Sequence, residues 1–238
     1  MDSEDSYRNI SSGQFRAQGI INAVNSYLKL ADRDRGSDAI THTLSEAANT
    51  EGGELTGYQE ETREHLVKPV LYSLGYESLI ELQSDLGAPH QPVPDFRLDT
   101  SQSECNCIVE IASFGYLAED PDVNTDLKSV METYMEANPE TPYPHGQYGA
   151  QPEYLIAIAT DGIVWELHGT HLESDTTFPV TTVSLRETYQ TAVNTLSEDD
   201  DTSDRWVVEE RDYVHDTFLP VFTEEELVDA FNMKSSPS

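Results

Sequence analysis

Two acidic residues stand where strand-like segments would bring them together. Asp95 opens the short segment PDFRLD, Glu110 lies inside the longer apolar run CNCIVEIAS, and the polar stretch TSQSE between them suits a chain reversal. Paired as neighbouring strands, these segments would carry both carboxylates to one end of a sheet. Side chains alternate along a strand, so Asn106, Ile108, Glu110 and Ala112 share one face, and Cys105, Cys107, Val109 and Ile111 the other. An acid among apolar strand residues is costly to bury unless it is paired or holds a cation. Two such oxygen ligands are the usual protein contribution to a Mg²⁺ site, water and phosphate oxygens supplying the rest, so the carboxylates are expected within roughly 6 Å of each other. The plainer alternatives are a turn acid following Pro94 for Asp95, and an ion pair with Arg97 for Glu110.

The surrounding sequence must supply the elements that position this pair. Phe15, Ile20, Ile21, Val24, Tyr27 and Leu28 recur at helical spacing between Ser12 and Ala31. In YQEETREHLVKPVLYSLGY, the residues Leu66, Val70, Leu71 and Leu74 form an apolar stripe, Gly75 is a C-terminal cap, and Pro69 should bend the helix. Strands are expected at SLIELQ, around Asp95 to Leu98, and at CNCIVEIAS. A helix follows in DVNTDLKSVMETYMEA. EYLIAIATDGIVWELHG reads as two strands joined at Asp161-Gly162, FPVTTVSL as an edge strand, and LRETYQTAVNTL as a helix. Past the acidic linker SEDDDTSD the chain should be helical again, with Thr223 and Glu226 forming a capping box. The order predicts an α/β domain, a mixed sheet of about five strands flanked by helices, over residues 58–196. Residues 1–57 form an N-terminal helical extension, and residues 197–238 the acidic linker and C-terminal helices.

The strings T-R-E-H-L-V-K-P-V-L-Y-S-L-G-Y, P-D-F-R-L-D, C-I-V-E-I-A-S and I-A-T-D-G-I-V-W-E-L-H, in that order, resemble the N-terminal nuclease domain of type I restriction enzyme R subunits. These belong to the PD-(D/E)xK nuclease superfamily. The resemblance spans residues 58–168 and implies a restriction-endonuclease-like fold, Mg²⁺ as cofactor and DNA as substrate. It implies Asp95 and Glu110 as metal ligands, with Glu61 or Glu64 as the helix acid. The family places lysine two residues after the glutamate, where it orients water and offsets charge developing on phosphate. Here that residue is Ala112, and Val130 replaces a glutamine often found before Tyr134. Lysine can migrate in this superfamily, and Lys128 in the following helix is the candidate replacement. A protein that kept the fold as a catalytically inactive binding or structural subunit, including one of a virus particle, is the alternative.

Composition constrains the setting. The chain has 238 residues, with 45 acidic against 13 basic side chains and a formal net charge of −32, and its acids are spread along almost the whole length. This pattern matches proteins of salt-in halophilic archaea, where carboxylates keep surfaces hydrated while molar salt screens their repulsion. A DNA mimic or a binder of basic proteins is the competing explanation. Such acidity disfavours a broad basic nucleic-acid face. With no apolar stretch of membrane-spanning length and no signal-peptide pattern at MDSEDSYRNI, a soluble cytoplasmic protein is expected, with no membrane partner. A protein partner is open. Cys105 and Cys107 lie two apart on one strand, which does not favour a disulfide, and their spacing to His168 and His171 fits no usual zinc pattern.

Overall fold

The computed structural model describes residues 11–35, 56–81, 94–98, 105–112, 114–115, 154–171, 176–197, 209–227 and 229. Six strands form one mixed sheet in sequential order: β1 (Leu79–Glu81), β2 (Phe96–Leu98), β3 (Cys105–Ile111), β4 (Tyr154–Thr160), β5 (Val164–His171) and β6 (Thr176–Ser184). β3 and β4 pair in parallel, and every other neighbouring pair is antiparallel. This is an α/β fold with helices flanking the sheet, with one strand more than the expected five. The expected helix DVNTDLKSVMETYMEA lies outside the described residues.

The first helix, α1 (Ser12–Arg35), runs four residues beyond its expected end at Ala31. A reciprocal cap starts it: Gln14 N–H donates to Ser11 Oγ at 3.2 Å, and Ser11 N–H donates to Gln14 Oε1 at 3.3 Å. Ala17, Ile20, Ile21, Val24, Tyr27, Leu28 and Ala31 form its buried stripe. Phe15, expected in that stripe, is 74% exposed, because a position two residues before Ala17 falls about 200° round the helix.

Pro69 is accommodated by a change of helix type. The helix proceeds as α2 (Thr56–Thr62), a π-helical turn (Arg63–Val67) and α3 (Lys68–Ser73). Proline lacks the N–H that a regular α-turn needs, so the widened turn falls just before it. The same solution recurs at Val214–Phe218, ahead of Pro220 in α5 (Leu219–Phe222). Gly75, at φ 106°, ends α3: its N–H donates to Tyr72 O, and Tyr76 N–H reaches Leu71 O. This is the Schellman arrangement, which requires a left-handed residue.

Helices from both ends of the chain share the core of the sheet. α1 packs on α3 and on the C-terminal helical segment, Arg16 makes a two-point salt bridge to Glu225 at 2.6 and 2.7 Å, and Tyr76 Oη donates to Phe222 O. α4 (Arg186–Ser197) closes the layer through Tyr189, whose ring meets Phe114. The capping box expected at Thr223 is replaced by a bond in the other direction, the Thr223 hydroxyl donating to Leu219 O at 3.0 Å. Among the described residues no helix is long and apolar enough to cross a membrane.

The Asp161-Gly162 turn joins β4 to β5 as the sequence predicts. Asp161 Oδ1 accepts from Ile163 N–H at 2.8 Å and Val164 N–H at 2.7 Å, while Thr160 Oγ1 accepts from Gly162 N–H at 2.9 Å. Gly162 takes φ 87°, and a Cβ there would run into Leu66, so glycine is required twice over.

Candidate metal and phosphate site

The β2–β3 register decides whether the two acids meet. Phe96 pairs with Val109, Arg97 with Ile108 and Leu98 with Cys107. Asp95 immediately precedes the strand, and the register continued by one residue would bring it next to Glu110. Asp95, a bend residue just before β2, and Glu110 on β3 therefore stand at the same end of this strand pair. Phe96, Val109 and Ile111 alternate to the face opposite Glu110, where the Lys68 ammonium lies 5.9 Å from the centre of the Phe96 ring.

Backbone groups hold this corner in place. Asp95 Oδ2 accepts the Ile111 N–H at 2.8 Å, and Gln59 on α2 donates to the Ile111 carbonyl at 2.6 Å. Ile111 thus couples the strand bearing Glu110 both to the partner acid and to the helix. The Ala112 N–H donates to Thr160 O at 2.8 Å, so the position that carries lysine in the resembling family continues β3 against β4. Asp95 is 15% exposed, and Glu110 is half-buried with Oε2 out of contact with solvent.

Burial pushes the Asp95 carboxyl above its ordinary value, against the lowering pull of the Ile111 N–H and the Arg63 guanidinium. The folded protein therefore holds this proton more tightly than the unfolded chain. Ionising Asp95 costs the fold nothing below the unfolded value, increasingly more as pH rises through the raised folded value, and a constant amount above it. Asp95→Asn keeps an oxygen for the Ile111 N–H and removes that charge. It is expected to raise stability at neutral pH by about 1 kcal/mol, or about 2–4 °C at this chain length, with the gain vanishing in acid. Paired melting curves at neutral and acidic pH measure it; an equal gain at both would rule out the charge as its source.

The helix side departs from expectation. Arg63 reaches Asp95, with Nη1 4.0 Å from Asp95 Oδ1. Glu64 accepts from Arg63 Nε and from Lys68 Nζ, each at 3.1 Å, which commits it to two cations. Among the described residues no three His, Cys, Asp or Glu side chains converge as a metal site, so Glu61 does not join Asp95 and Glu110 as a third ligand. Two positions before Arg63, it lies about 200° away around the helix. Lys128 is outside the described residues. Arg97 makes no ion pair with Glu110 or with any other described residue.

Sequence reasoning missed a buried pair on the face of Glu110. Glu166 and His168 on β5 are 7% and 4% exposed at the side chain, with His168 Nε2 2.9 Å from Glu166 Oε2. Register places Glu166 in line with Ala159 and Glu110, and His168 in line with Ala157 and Ile108. The i, i+2 spacing of the two residues on one strand was the available signal. His168 and Cys107, two of the zinc ligands considered from the sequence, lie on opposite faces of the sheet.

Compared with family models, curated proteins and solved structures, the chain matches none.

Proposed function

We propose that this chain is a nuclease-like protein of DNA defence or DNA processing, in which Asp95 and Glu110 hold Mg²⁺ for phosphodiester cleavage. One observation carries the reading: the Asp95 carboxylate, just before β2, is fixed at 2.8 Å by the N–H of Ile111, the residue that follows Glu110 on β3. The donors fit a hard cation, since two carboxylates with open positions for water and phosphate oxygens are the usual Mg²⁺ set. Bound there, the ion would polarise a phosphate oxygen and make a coordinated water more acidic. Asp95 and Glu110 supply the negative charge, Ile111 keeps the strands in register, and Gln59 ties the helix to that strand. The intended setting is the cytoplasm of a halophilic archaeon.

Ala112 favours a second reading, a pseudonuclease that uses the same site for binding a nucleic acid or protein partner. The two readings separate in one experiment with the full chain in molar KCl. Under the enzyme reading, plasmid DNA is nicked with Mg²⁺ or Mn²⁺, and Asp95→Ala and Glu110→Ala each reduce the rate at least about 1,000-fold while remaining cooperatively folded at the assay temperature. Calorimetric metal binding without nicking would select the pseudonuclease. No metal binding beyond that of the double variant would refute the site.

A further inference from the structure

We infer that Arg63 is the residue that receives the phosphate at this site, in place of the lysine missing at position 112. The inference rests on the Asp95–Glu110 metal reading and adds the anion-binding half of that site.

A phosphodiester brought to a cation held by Asp95 and Glu110 adds negative charge beside two carboxylates. A fixed positive group within reach must offset it. Among the described residues three cations lie near this corner, and one of them, Arg97, shares the face of Glu110 but stands further along β2, opposite Ile108. Lys68 is engaged with Glu64 at 3.1 Å and lies toward the Phe96 ring, on the far face of the sheet. Arg63 projects to the near end, with Nη1 4.0 Å from Asp95 Oδ1.

The guanidinium is positioned yet only partly used. Its Nε donates to Glu64 Oε1 at 3.1 Å, which fixes the plane from behind. Nη1 and Nη2 are 4.0 Å from Asp95 and Glu60, longer than hydrogen bonds, so that outer edge makes none to a described residue. This two-pronged edge is the part of arginine that pairs with two phosphate oxygens, a geometry lysine cannot copy. The side chain is 29% exposed, open to an incoming strand. It also has a separate attachment: Arg63 lies in the π-helical turn enforced by Pro69, whereas the family's lysine would stand on β3. The same guanidinium sits by Asp95 and partly neutralises it. A divalent ion on Asp95 would take over that task and release Arg63 to phosphate, so metal and phosphate should bind cooperatively.

The test measures binding of a short fluorescent DNA duplex to the full chain in molar KCl, with Ca²⁺ replacing Mg²⁺ to suppress cleavage, and inorganic phosphate as competitor. Wild type should bind only with Ca²⁺. Arg63→Ala should weaken that binding about tenfold or more, while Arg63→Lys, which keeps the charge and loses the fork, should fall between the two. Ca²⁺ affinity without DNA should stay within about threefold in both variants, separating loss of phosphate contact from loss of the metal site. Arg63→Gln, closest in shape without charge, serves if Arg63→Ala melts abnormally. Duplex binding unchanged in the alanine or glutamine variant would overturn the role of Arg63 and leave the metal reading standing. Absence of Ca²⁺-dependent duplex binding by wild type would overturn both. Competition by inorganic phosphate at concentrations comparable to the DNA phosphate would assign the site to a free anion and overturn the strand-binding role.

Discussion

Transfer from dilute buffer to molar KCl is expected to stabilise the fold by several kcal/mol and raise its melting temperature by about 10 °C or more. The 13 basic side chains cannot neutralise 45 acidic ones, and Arg16, Arg33, Arg63 and Lys68 are already committed to acidic partners. Acids such as Glu60, Asp216 and Asp212 face outward, at 81%, 76% and 60% side-chain exposure. Charges so placed repel one another more in the compact state than in the expanded chain. Salt shortens the range of that repulsion from about 10 Å at 0.1 M to about 3 Å at 1 M, while burial of apolar side chains is strengthened or left unchanged. Exposed ion pairs such as Arg33 with Asp34 lose little, having little to contribute. Melting curves across a KCl series check the prediction. Greatest stability in dilute buffer would sink the halophilic reading and direct attention to a basic partner that neutralises the surface.

Trp165→Ala is expected to produce the largest loss from any single substitution in the core, about 3–5 kcal/mol, with melting lowered by about 6–20 °C. The indole is fully buried, and its Nε1–H donates to Gly162 O at 3.2 Å. Its ring meets Phe218 edge-on at 5.2 Å and Phe222 at 5.9 Å, the contacts that seat the C-terminal helical segment on the sheet. Alanine would leave a cavity that two phenylalanines on a bent helix cannot fill without moving off the sheet. Limited proteolysis should therefore cut residues 209–227 earlier than in wild type, and urea unfolding gives the free energy. Phe15→Ala, at a position 74% exposed, provides the control and should change stability by less than about 0.5 kcal/mol. A Trp165→Ala loss as small as that control would mean that the C-terminal helices do not depend on the indole.

The residues themselves determined much of this architecture. Alternation in CNCIVEIAS set Glu110 among the residues of one face, Asp161-Gly162 marked the hairpin, and the Leu-Gly-Tyr sequence marked the end of α3. Each is a local signal, carried by side-chain period or by the φ that one residue permits. The pairing of β2 with β3 was legible for a related reason, since two strands so close in sequence have little choice of partner. The acidity was legible because it is a sum over composition.

Tertiary structure decided what depends on segments far apart in the chain. Whether Glu61 or Arg63 faces Asp95 depends on the angular setting of a helix against a strand more than thirty positions later. The parallel pairing of β3 with β4 aligned Ala159 and Glu166 with Glu110, extending the polar row onto β5, although no local pattern links these strands. The terminal helices joined the central core because Arg16 meets Glu225, and Trp165 meets Phe218, across long sequence separations. Periodicity tells a residue which way to face within its own element. Which neighbour it meets is fixed only when elements pack, because burial free energy rewards any close-fitting apolar contact and the chain must select one arrangement that satisfies all of them at once.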